Sequence, residues 1–375
     1  MATTVVQQAD LARGVALACS FVEEKSTLQI LTNILVRPGI GGFTVCGTDL
    51  ETRIEVPIKA DSISPDLGLF CAPGHKLNHW LQLVPKEPLE LDVNDRQFLT
   101  ARHKRGHARM AGLQPDSFPN APDGPWREVG SFKLIDLVAG LRRADPAVPS
   151  KLGKYTVPAT LMEISQEGVA LIGTDGHRLS WQLIPMNLDG GEHFVGKITL
   201  SIDAAKAIAL VSKVSDSETI LIETSSSDYY RISSIDGYVI YSRRVDGNFP
   251  DFRKVMKEAF LAEVVVSRLE FLAALKRAST SSPHEGMKVA IGFEPDALTV
   301  SGAVVDLAEA DDAIQAEHNA AGDPPICFNA SYLSDWLSSS DADKVVFRLN
   351  GPSGTAELGE VGNPNWRYVV MPMRA

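Results

Sequence analysis

An internal repeat is the feature of this sequence that most restricts how the chain can fold. The segments FTVCGTD, VALIGTD and ALTVSGA begin at residues 43, 169 and 297, which are 126 and 128 residues apart. A second pair, DSFPNAPD and GNFPDFRK, places Phe118 and Phe249 131 residues apart. Self-similarity at a fixed period means that one structural unit is used repeatedly. We therefore expect three copies of one domain, over 1–127, 128–257 and 258–375.

Apolar periodicity predicts six helices, two in each repeat. In the first helix, apolar residues follow Leu11 at i+4, i+7 and i+11, as on one helical face. Ser267 and Glu270 form a capping-box pattern at the start of the fifth helix, and Asn329 is a candidate N-cap of the sixth. The second, fourth and sixth helices start 127 and 128 residues apart. The predicted spans are 7–24, 74–84, 131–143, 201–213, 267–278 and 329–338.

The segments between these helices have the composition of short strands. They are rich in β-branched and aromatic residues and are interrupted by Gly, Asn, Asp or Ser, which is typical of strands joined by turns. Two helices packed on antiparallel sheet would give each repeat an α+β layer structure. The third repeat has diverged most, because Ser301-Gly302-Ala303 stands where the others have Gly-Thr-Asp. The predicted fold class is α+β, with three repeated domains.

Composition is that of an ordinary globular protein. Hydrophobic residues make up 44% and charged residues 22% of the 375 residues. The start, MATTVVQQAD, lacks the basic and apolar regions of a signal peptide, and no apolar run approaches the roughly 18 residues that a membrane span needs. We therefore expect a cytoplasmic protein without membrane contact. The four cysteines are scattered without a CxxC motif, which favours isolated buried thiols.

Motifs of nucleotide and metal chemistry are absent from the sequence. It contains no GxxxxGK[ST] motif, so no P-loop is predicted. His75 with His79, and His103 with His107, have the i, i+4 spacing of two metal ligands on one helical face. Neither pair has an obvious third ligand, which a zinc site requires. We therefore expect neither a metal nor a cofactor.

The stretch GTDGHRLSW (173–181) has the residue types of an active site. Asp175 and His177 stand at i, i+2, so in a strand they would point the same way and could pair. A hydrolase would also need a nucleophile, and no G-x-S-x-G elbow accompanies them. The first repeat has the same opening in GTDLETRIEV (47–56) without the histidine, which favours an aspartate that holds a turn. A hydrolase that uses Asp175 and His177 remains the alternative to a binding function.

The charge distribution leaves nucleic acid open as a partner. Net charge is −11, which excludes a surface that is basic throughout but not a local basic stripe. Lys206 and Lys213 lie on the fourth helix opposite its apolar face, and further cations stand near other helix ends. Such cations are favoured by the helix dipole, so they have an ordinary explanation as well as a phosphate-binding one.

Four segments carry a family resemblance, namely GTDGHRL (173–179), VDGNFPDFRKVM (245–256), FNASYLSDWL (328–337) and YVVMPMRA (368–375). With the length and the three-repeat layout, they resemble the β subunit of bacterial DNA polymerase III, the sliding-clamp family. The resemblance implies a head-to-tail homodimer ring whose helices line a hole around double-stranded DNA. Such a ring has no catalysis of its own and confers processivity in replication and repair. It holds the polymerase while sliding on sequence-independent phosphate contacts.

The resemblance also implies two sets of functional residues. A hydrophobic cleft between the middle and C-terminal domains would take short peptides from the polymerase III catalytic subunit, the clamp loader and other clamp-binding proteins. Met gives such a cleft an adaptable apolar floor, and Tyr and Arg are common anchors. Carried over by position, the cleft residues are Lys154, Val157, Thr174, Gly176, His177, Arg178, Leu179, Pro250, Lys254, Val255, Asn329, Tyr332, Val369, Met371, Pro372, Met373 and Arg374. The candidate DNA-facing residues are Lys25, Arg143, Lys151, Lys206, Lys213 and Lys276.

The sequence departs from the family pattern at both kinds of interface. Lys154 and Lys254 stand where arginine is expected, which argues against bidentate recognition of a peptide carboxylate. At the apparent subunit seam, Ala108, Thr280 and Ser281 take the place of larger apolar residues. We therefore expect ring stability to depend more on polar contacts.

Overall fold

The structure is a computed structural model. It describes residues 3–153, 156–185, 194–226, 228–282, 287–304, 307–318, 324–351 and 353–374. No helix in these ranges is both long enough and apolar enough to cross a membrane.

Six α-helices lie within the described ranges, and each begins within three residues of its predicted start. They are α1 (Gln8–Cys19), α2 (Gly74–Leu83), α3 (Leu134–Ala144), α4 (Ile202–Val211), α5 (Arg268–Ser279) and α6 (Ala330–Ser339). Both predicted N-caps are confirmed, because the side chains of Ser267 and Asn329 accept from the N–H of Glu270 and Ser331. α1 ends before its predicted limit at residue 24, because Val22 bonds to the carbonyl three residues earlier and the chain tightens into a turn.

Each third of the described chain contributes eight strands. The first third has β1 (Thr4–Gln7), β2 (Asn33–Gly39), β3 (Gly42–Thr48), β4 (Thr52–Lys59), β5 (Phe70–Pro73), β6 (Pro88–Val93), β7 (Phe98–His103) and β8 (Gly106–Ala111). The middle third has β9 (Trp126–Lys133), β10 (Ala159–Ser165), β11 (Gly168–Thr174), β12 (Arg178–Pro185), β13 (Gly196–Ser201), β14 (Thr219–Ser225), β15 (Tyr229–Ser234) and β16 (Val239–Arg243). The last third has β17 (Ala262–Ser267), β18 (Lys288–Glu294), β19 (Ala297–Val304), β20 (Ala308–His318), β21 (Ile326–Asn329), β22 (Lys344–Leu349), β23 (Ala356–Glu360) and β24 (Asn363–Val370).

These strands form three antiparallel sheets. Their orders are β1-β6-β7-β8, β5-β2-β3-β4-β16-β15-β14-β9, and β13-β10-β11-β12-β24-β23-β22-β17-β20-β19-β18-β21. The middle third therefore divides its strands between the two larger sheets. In the eight-stranded sheet, β4 of the N-terminal third pairs with β16 of the middle third. In the twelve-stranded sheet, β12 of the middle third pairs with β24 of the C-terminal third.

The chain forms two compact units. Unit 1 comprises Met1–Val138 and Asp203–Arg244, and unit 2 comprises Ala139–Ile202 and Val245–Ala375. The helices and antiparallel sheets confirm the α+β class. The predicted boundaries of three domains, at residues 127 and 257, stay a prediction. The two compact units do not test them, because each unit combines parts of more than one repeat.

The core of unit 2 is built on aromatic residues. Trp336 of α6 and Trp366 of β24 are fully buried, and their ring centroids are 5.0 Å apart. Phe271 and Phe328 each contact Phe347 within the same cluster, which covers the helical face of the sheet. Burying a large aromatic side chain contributes roughly 1.5–3 kcal/mol to stability. This cluster therefore holds α5 and α6 against the sheet.

The cysteines are free thiols in mostly apolar surroundings. Cys19, Cys46 and Cys71 are buried, and burial raises the pKa of each thiol to about 12. The prediction of isolated buried thiols is confirmed for these three and wrong for Cys327, which is half-buried. Cys327 lies on β21, the edge strand of its sheet, where alternate side chains remain uncovered.

One glycine in each repeat lets the end of the repeat's first helix touch a strand. An ideal Cβ on that glycine would overlap a carbonyl oxygen in the helix's last turn, so no larger residue fits. The Cβ-to-oxygen distances are 2.1 Å for Gly47 and Ala18, 2.5 Å for Gly173 and Ala144, and 2.1 Å for Gly302 and Ala278. Alignment of the three repeats by sequence predicts Ser301 as the counterpart of Gly47 and Gly173. In the structure, Gly302 is the residue that contacts the helix.

Substitution of these glycines tests that contact. We expect Gly47→Ala and Gly302→Ala each to lower the free energy of unfolding by about 1–3 kcal/mol, because the added methyl group overlaps helix backbone that cannot move aside cheaply. Gly68→Ala is the matched control, since nothing lies within 4 Å of its Cβ position. Chemical denaturation midpoints measure the effect. Equal midpoints for Gly47→Ala and Gly68→Ala would contradict the packing argument.

Candidate functional site

The turn between β11 and β12 is held by its own side chains. The Thr174 hydroxyl donates to the Arg178 carbonyl at 2.8 Å and accepts from Gly176 N–H at 3.2 Å. Asp175 Oδ1 accepts from the backbone N–H groups of His177 and Arg178, at 2.9 and 3.0 Å. Gly176 has φ of +86°, a conformation that glycine adopts without strain. The sequence Gly-Thr-Asp-Gly therefore builds one tight turn.

The first repeat builds the same turn between β3 and β4. Thr48 donates to the Thr52 carbonyl at 2.9 Å and accepts from Leu50 N–H at 3.1 Å. Asp49 Oδ1 accepts from the N–H groups of Glu51 and Thr52, at 3.0 and 2.7 Å. Leu50, with φ of +80°, takes the left-handed position that glycine has in the second repeat. The predicted role of the aspartate in a shared structural turn is confirmed.

The same geometry argues against a hydrolase. Asp175 and His177 lie in the turn rather than in a strand, so the i, i+2 alternation of a strand does not apply to them. Asp175 Oδ1 caps backbone N–H groups, and Oδ2 accepts from Arg178 Nε at 2.9 Å. Among the hydrogen bonds of the described residues, none joins this carboxylate to the imidazole ring. The side-chain pair that the alternative function would need is therefore not formed, because the turn occupies the carboxylate.

Arg178 joins this turn to two other elements of unit 2. Its Nη1 donates to Asp335 Oδ2 of α6 at 2.7 Å and to Tyr368 Oη of β24 at 3.3 Å. The guanidinium carbon lies 4.2 Å from the ring centroid of Tyr332. Burial disfavours the charged guanidinium, but Tyr368, Asp335 and Asp175 outweigh burial and raise the pKa of Arg178. Arg178 is therefore a charged, fixed side chain rather than a free surface cation.

A cleft with a volume of about 170 Å³ lies beside this turn, inside unit 2. Its floor is apolar, because Leu179, Phe252 and Val369 belong to one buried cluster. Met371 is attached to the turn, since its N–H donates to the His177 carbonyl at 2.9 Å. The lining residues are Thr174, Gly176, His177, Arg178, Leu179, Pro250, Asp251, Phe252, Val255, Val369 and Met371. Such a lining suits a short apolar segment with a few polar contacts.

Nine of the predicted cleft residues line this cavity. The other two lining residues, Asp251 and Phe252, were not predicted. Lys154 lies outside the described residues. Lys254 is exposed and pairs with Asp251 at 3.5 Å, Asn329 caps α6, and Tyr332 faces Arg178. Val157 is buried, and the Met373 N–H donates to the Cys327 carbonyl at 2.7 Å. The predicted cleft residues that do not line the cavity are Val157, Lys254, Asn329, Tyr332, Pro372, Met373 and Arg374. A direct binding role stays a prediction for these residues and for the nine that line it.

Sequence reasoning missed three residues of this region, and two of them had a usable signal. Phe252 lies between the matched residues Pro250 and Lys254, and its apolar side chain was a candidate for the floor. Asp335 stands three residues after Tyr332 on α6, a spacing that places both on one helical face. Asp251 had no comparable signal, because acidic residues are common in exposed turns.

Five of the six candidate DNA-facing cations are exposed, and one is not. Arg143 instead donates to Gln182 Oε1 at 2.9 Å and lies 4.6 Å from the ring of Trp366. Its side chain is 22% exposed. Arg143 is thus half-buried by side chains of β12 and β24, and its DNA-facing role stays a prediction. The exposed cations are Lys25, Lys151, Lys206, Lys213 and Lys276.

One histidine of each pair has a structural partner. His75 Nε2 lies 2.9 Å from the Val22 carbonyl, and His103 Nδ1 lies 3.3 Å from Glu87 Oε1. Within the described ranges, no group of three or more His, Cys, Asp or Glu side chains is placed to hold a metal ion.

Comparison with known proteins places the chain in a family. The family "DNA polymerase III beta subunit, N-terminal domain" matches residues 2–122, and its C-terminal domain counterpart matches residues 253–374. The β sliding clamp of Pseudomonas putida is 24% identical over 98% of this chain and 99% of its own length. That of Escherichia coli K12 is 24% identical over 93% of each chain.

Solved structures show the same fold over the full length. A sliding clamp from Pseudomonas aeruginosa, bound to griselimycin, superimposes with a TM-score of 0.93 at 23% identity and covers 100% of both chains. A β subunit from Thermotoga maritima gives 0.90 at 22% identity with the same coverage. The chain belongs to the DNA polymerase III β-subunit family, the bacterial sliding clamps. The predicted family is confirmed, and members of this family are accessory subunits rather than enzymes.

The two equivalent turns offer a matched pair of substitutions. We expect Asp175→Ala to destabilise the protein more than Asp49→Ala. Both changes remove the acceptor of two backbone N–H groups, but only Asp175 also pairs with a largely buried arginine. Loss of such bonds costs about 1–3 kcal/mol. Denaturation midpoints of the two variants make the comparison, and Asp175→Asn, which keeps one acceptor oxygen, should fall between wild type and Asp175→Ala. Equal losses at both turns would show that Arg178 does not depend on Asp175.

Proposed function

We propose that this chain is a DNA sliding clamp, two copies of which close head to tail around double-stranded DNA in the cytoplasm. The observation that carries the proposal is the combination of both family domains with the clamp fold over the whole chain. A closed ring gives processivity by topology, so it needs only weak phosphate contacts and no base recognition. It would require no cofactor and no catalytic residue.

Exposed lysines on the helices supply the phosphate contacts in this proposal. Lys206 is exposed on α4 and Lys213 is exposed in the turn that follows it, whereas Ala204, Ala207 and Ile208 of the helix are buried. Lys276 is exposed on α5 in the same way. Since the chain has a net charge of −11, the remaining surface is negative and would repel DNA. Attraction would therefore be confined to the helical face.

Two free strand edges with opposite charge support the head-to-tail seam. β8 is the last strand of its sheet, so one of its edges is unpaired within the described residues. In β20, residues 308–315 pair only with β19 among the described strands, because β17 pairs with residues 316–318. Unpaired edges are templates for adding a strand from another chain.

The side chains on those edges are complementary. Glu309 and Asp311 are exposed on the free part of β20. The exposed basic groups on and beside β8 are Arg102, Lys104, Arg105, His107 and Arg109. At the positions where the family has apolar seam residues, Ala108 is half-buried and Thr280 is exposed, so neither offers a large apolar surface. The seam would accordingly be held by charge and would weaken in high salt.

The cleft in unit 2 is the proposed docking site for partner proteins. Its apolar floor and its half-buried Arg178 suit a short linear segment of the polymerase III catalytic subunit, the clamp loader or another clamp-binding protein. A polymerase bound there would stay with the ring as it slides.

A topological tether makes a distinctive prediction. A clamp loaded on nicked circular DNA should remain bound during gel filtration and should be released when a restriction enzyme linearises the circle. The physical reason is that a ring leaves DNA only over a free end. Retention on linear DNA with open ends would contradict the ring mechanism.

Charge reversal at the seam provides the control for that experiment. Arg109→Glu should shift the protein from dimer to monomer in sedimentation and abolish retention on circles. The double variant Arg109→Glu with Asp311→Lys restores opposite charges and should recover at least part of both properties. Arg96→Glu, in the turn between β6 and β7, should leave the dimer unchanged.

Peptide docking is tested at the cleft wall. We expect His177→Ala to weaken binding of a labelled peptide from a polymerase III catalytic subunit by roughly three- to tenfold, as for interface residues worth about 1 kcal/mol. Ring assembly should be unaffected. Fluorescence anisotropy measures the first property and sedimentation the second. His79→Ala, an exposed histidine on α2, is the matched control, and equal peptide affinity in both variants would exclude the turn from the docking site.

A further inference from the structure

Every charged side chain that lines the cleft, except His177, is paired with an opposite charge. Arg178 Nε lies 2.9 Å from Asp175, and its Nη1 lies 2.7 Å from Asp335. Asp251 lies 3.5 Å from Lys254 Nζ. A peptide that enters the cleft therefore meets an apolar floor and a cation whose charge is already compensated.

We infer that Asp335 sets the charge preference of the cleft, by occupying Arg178 so that uncharged peptides are preferred over acidic ones. The inference rests on the proposed peptide-docking function. Asp335 does not line the cavity itself. It acts through Arg178 and is thus a positioning residue and a determinant of specificity.

The geometry separates the roles of the two carboxylates around Arg178. The Asp175 side chain is 19% exposed and also accepts two backbone bonds in the turn, so it is needed to build the wall. The Asp335 side chain is 45% exposed and comes from α6, which packs beside the turn. Of the two, Asp335 is therefore the one whose removal can change the charge at Arg178 while leaving the turn intact.

An acidic peptide would have to compete with Asp335. To reach Arg178 Nη1, its carboxylate must displace Asp335 or lie next to it, and like charges at close range oppose both arrangements. The ring of Tyr332, one helical turn before Asp335, packs against the guanidinium and limits its movement. With Asp335 neutralised, a peptide carboxylate competes for Nη1 with neutral acceptors only, and its charge-assisted hydrogen bond is stronger than theirs.

The test uses pairs of short peptides that contain leucine and phenylalanine. The two members of a pair are identical except that one has Asn and the other Asp at a single position. That position differs from one pair to the next, so that the whole peptide is scanned. For each pair, the ratio of the two dissociation constants is measured on the intact dimer. Wild type should prefer the Asn peptide. In Asp335→Asn, we expect that preference to fall by roughly threefold or more at the position nearest Arg178, the size of one partly exposed ion pair. Asp335→Glu retains a carboxylate and should keep the wild-type preference.

Matched controls distinguish this inference from a structural effect. Asp341→Asn removes an exposed carboxylate that pairs with Arg142 at 3.2 Å outside the cleft, and it should leave every ratio unchanged. If Asp335→Asn weakens both peptides equally or changes neither, Asp335 does not set specificity, although the docking function stands. If wild type binds neither member of any pair and no polymerase peptide, both the docking function and this inference are wrong.

Discussion

Direct contact between a helix carbonyl and a strand glycine is the constraint on which each repeat of this clamp depends. The contact at Gly47 and Gly173 fixes how closely the last turn of the first helix approaches the sheet. In both repeats the next two residues are Thr-Asp, which close the following turn through their own side chains. The position of the turn is thereby set by the packing of the helix. The wall of the cleft beside the second turn therefore depends on the packing of α3.

Divergence between the repeats gives the second turn, which lines the cleft, contacts of its own. Both turns have the same hydrogen bonds, but the first places Leu50 where the second has Gly176. The second turn then continues into Arg178, which contacts α6 and β24. These contacts join the turn to the aromatic core around Trp336. The residues that distinguish the second turn are therefore fixed by contacts with α6 and β24.

The sequence predicts what is periodic and local, and it fails where distant elements meet. Helix positions and N-caps follow from apolar spacing and from Ser267 and Asn329. The turn aspartates follow from comparing two repeats. By contrast, the partners of Arg143 could not be predicted, because helical periodicity shows which face of α3 is apolar but not that Gln182 and Trp366 lie beside the arginine. Asp335 was missed because its partner is 157 positions away in the chain. The cleft residues came from family resemblance rather than from periodicity.

The division of the middle third between two sheets bears on how this chain can be cut. β4 pairs with β16, and β12 pairs with β24, so a sheet crosses each repeat boundary. A fragment ending at residue 127 would leave the edge of β4 bare, and one beginning at residue 258 would do the same to β24. Bare edges of this kind recruit strands from other molecules. The repeats thus share one pattern but are not separable modules. The chain therefore has to fold as one continuous unit.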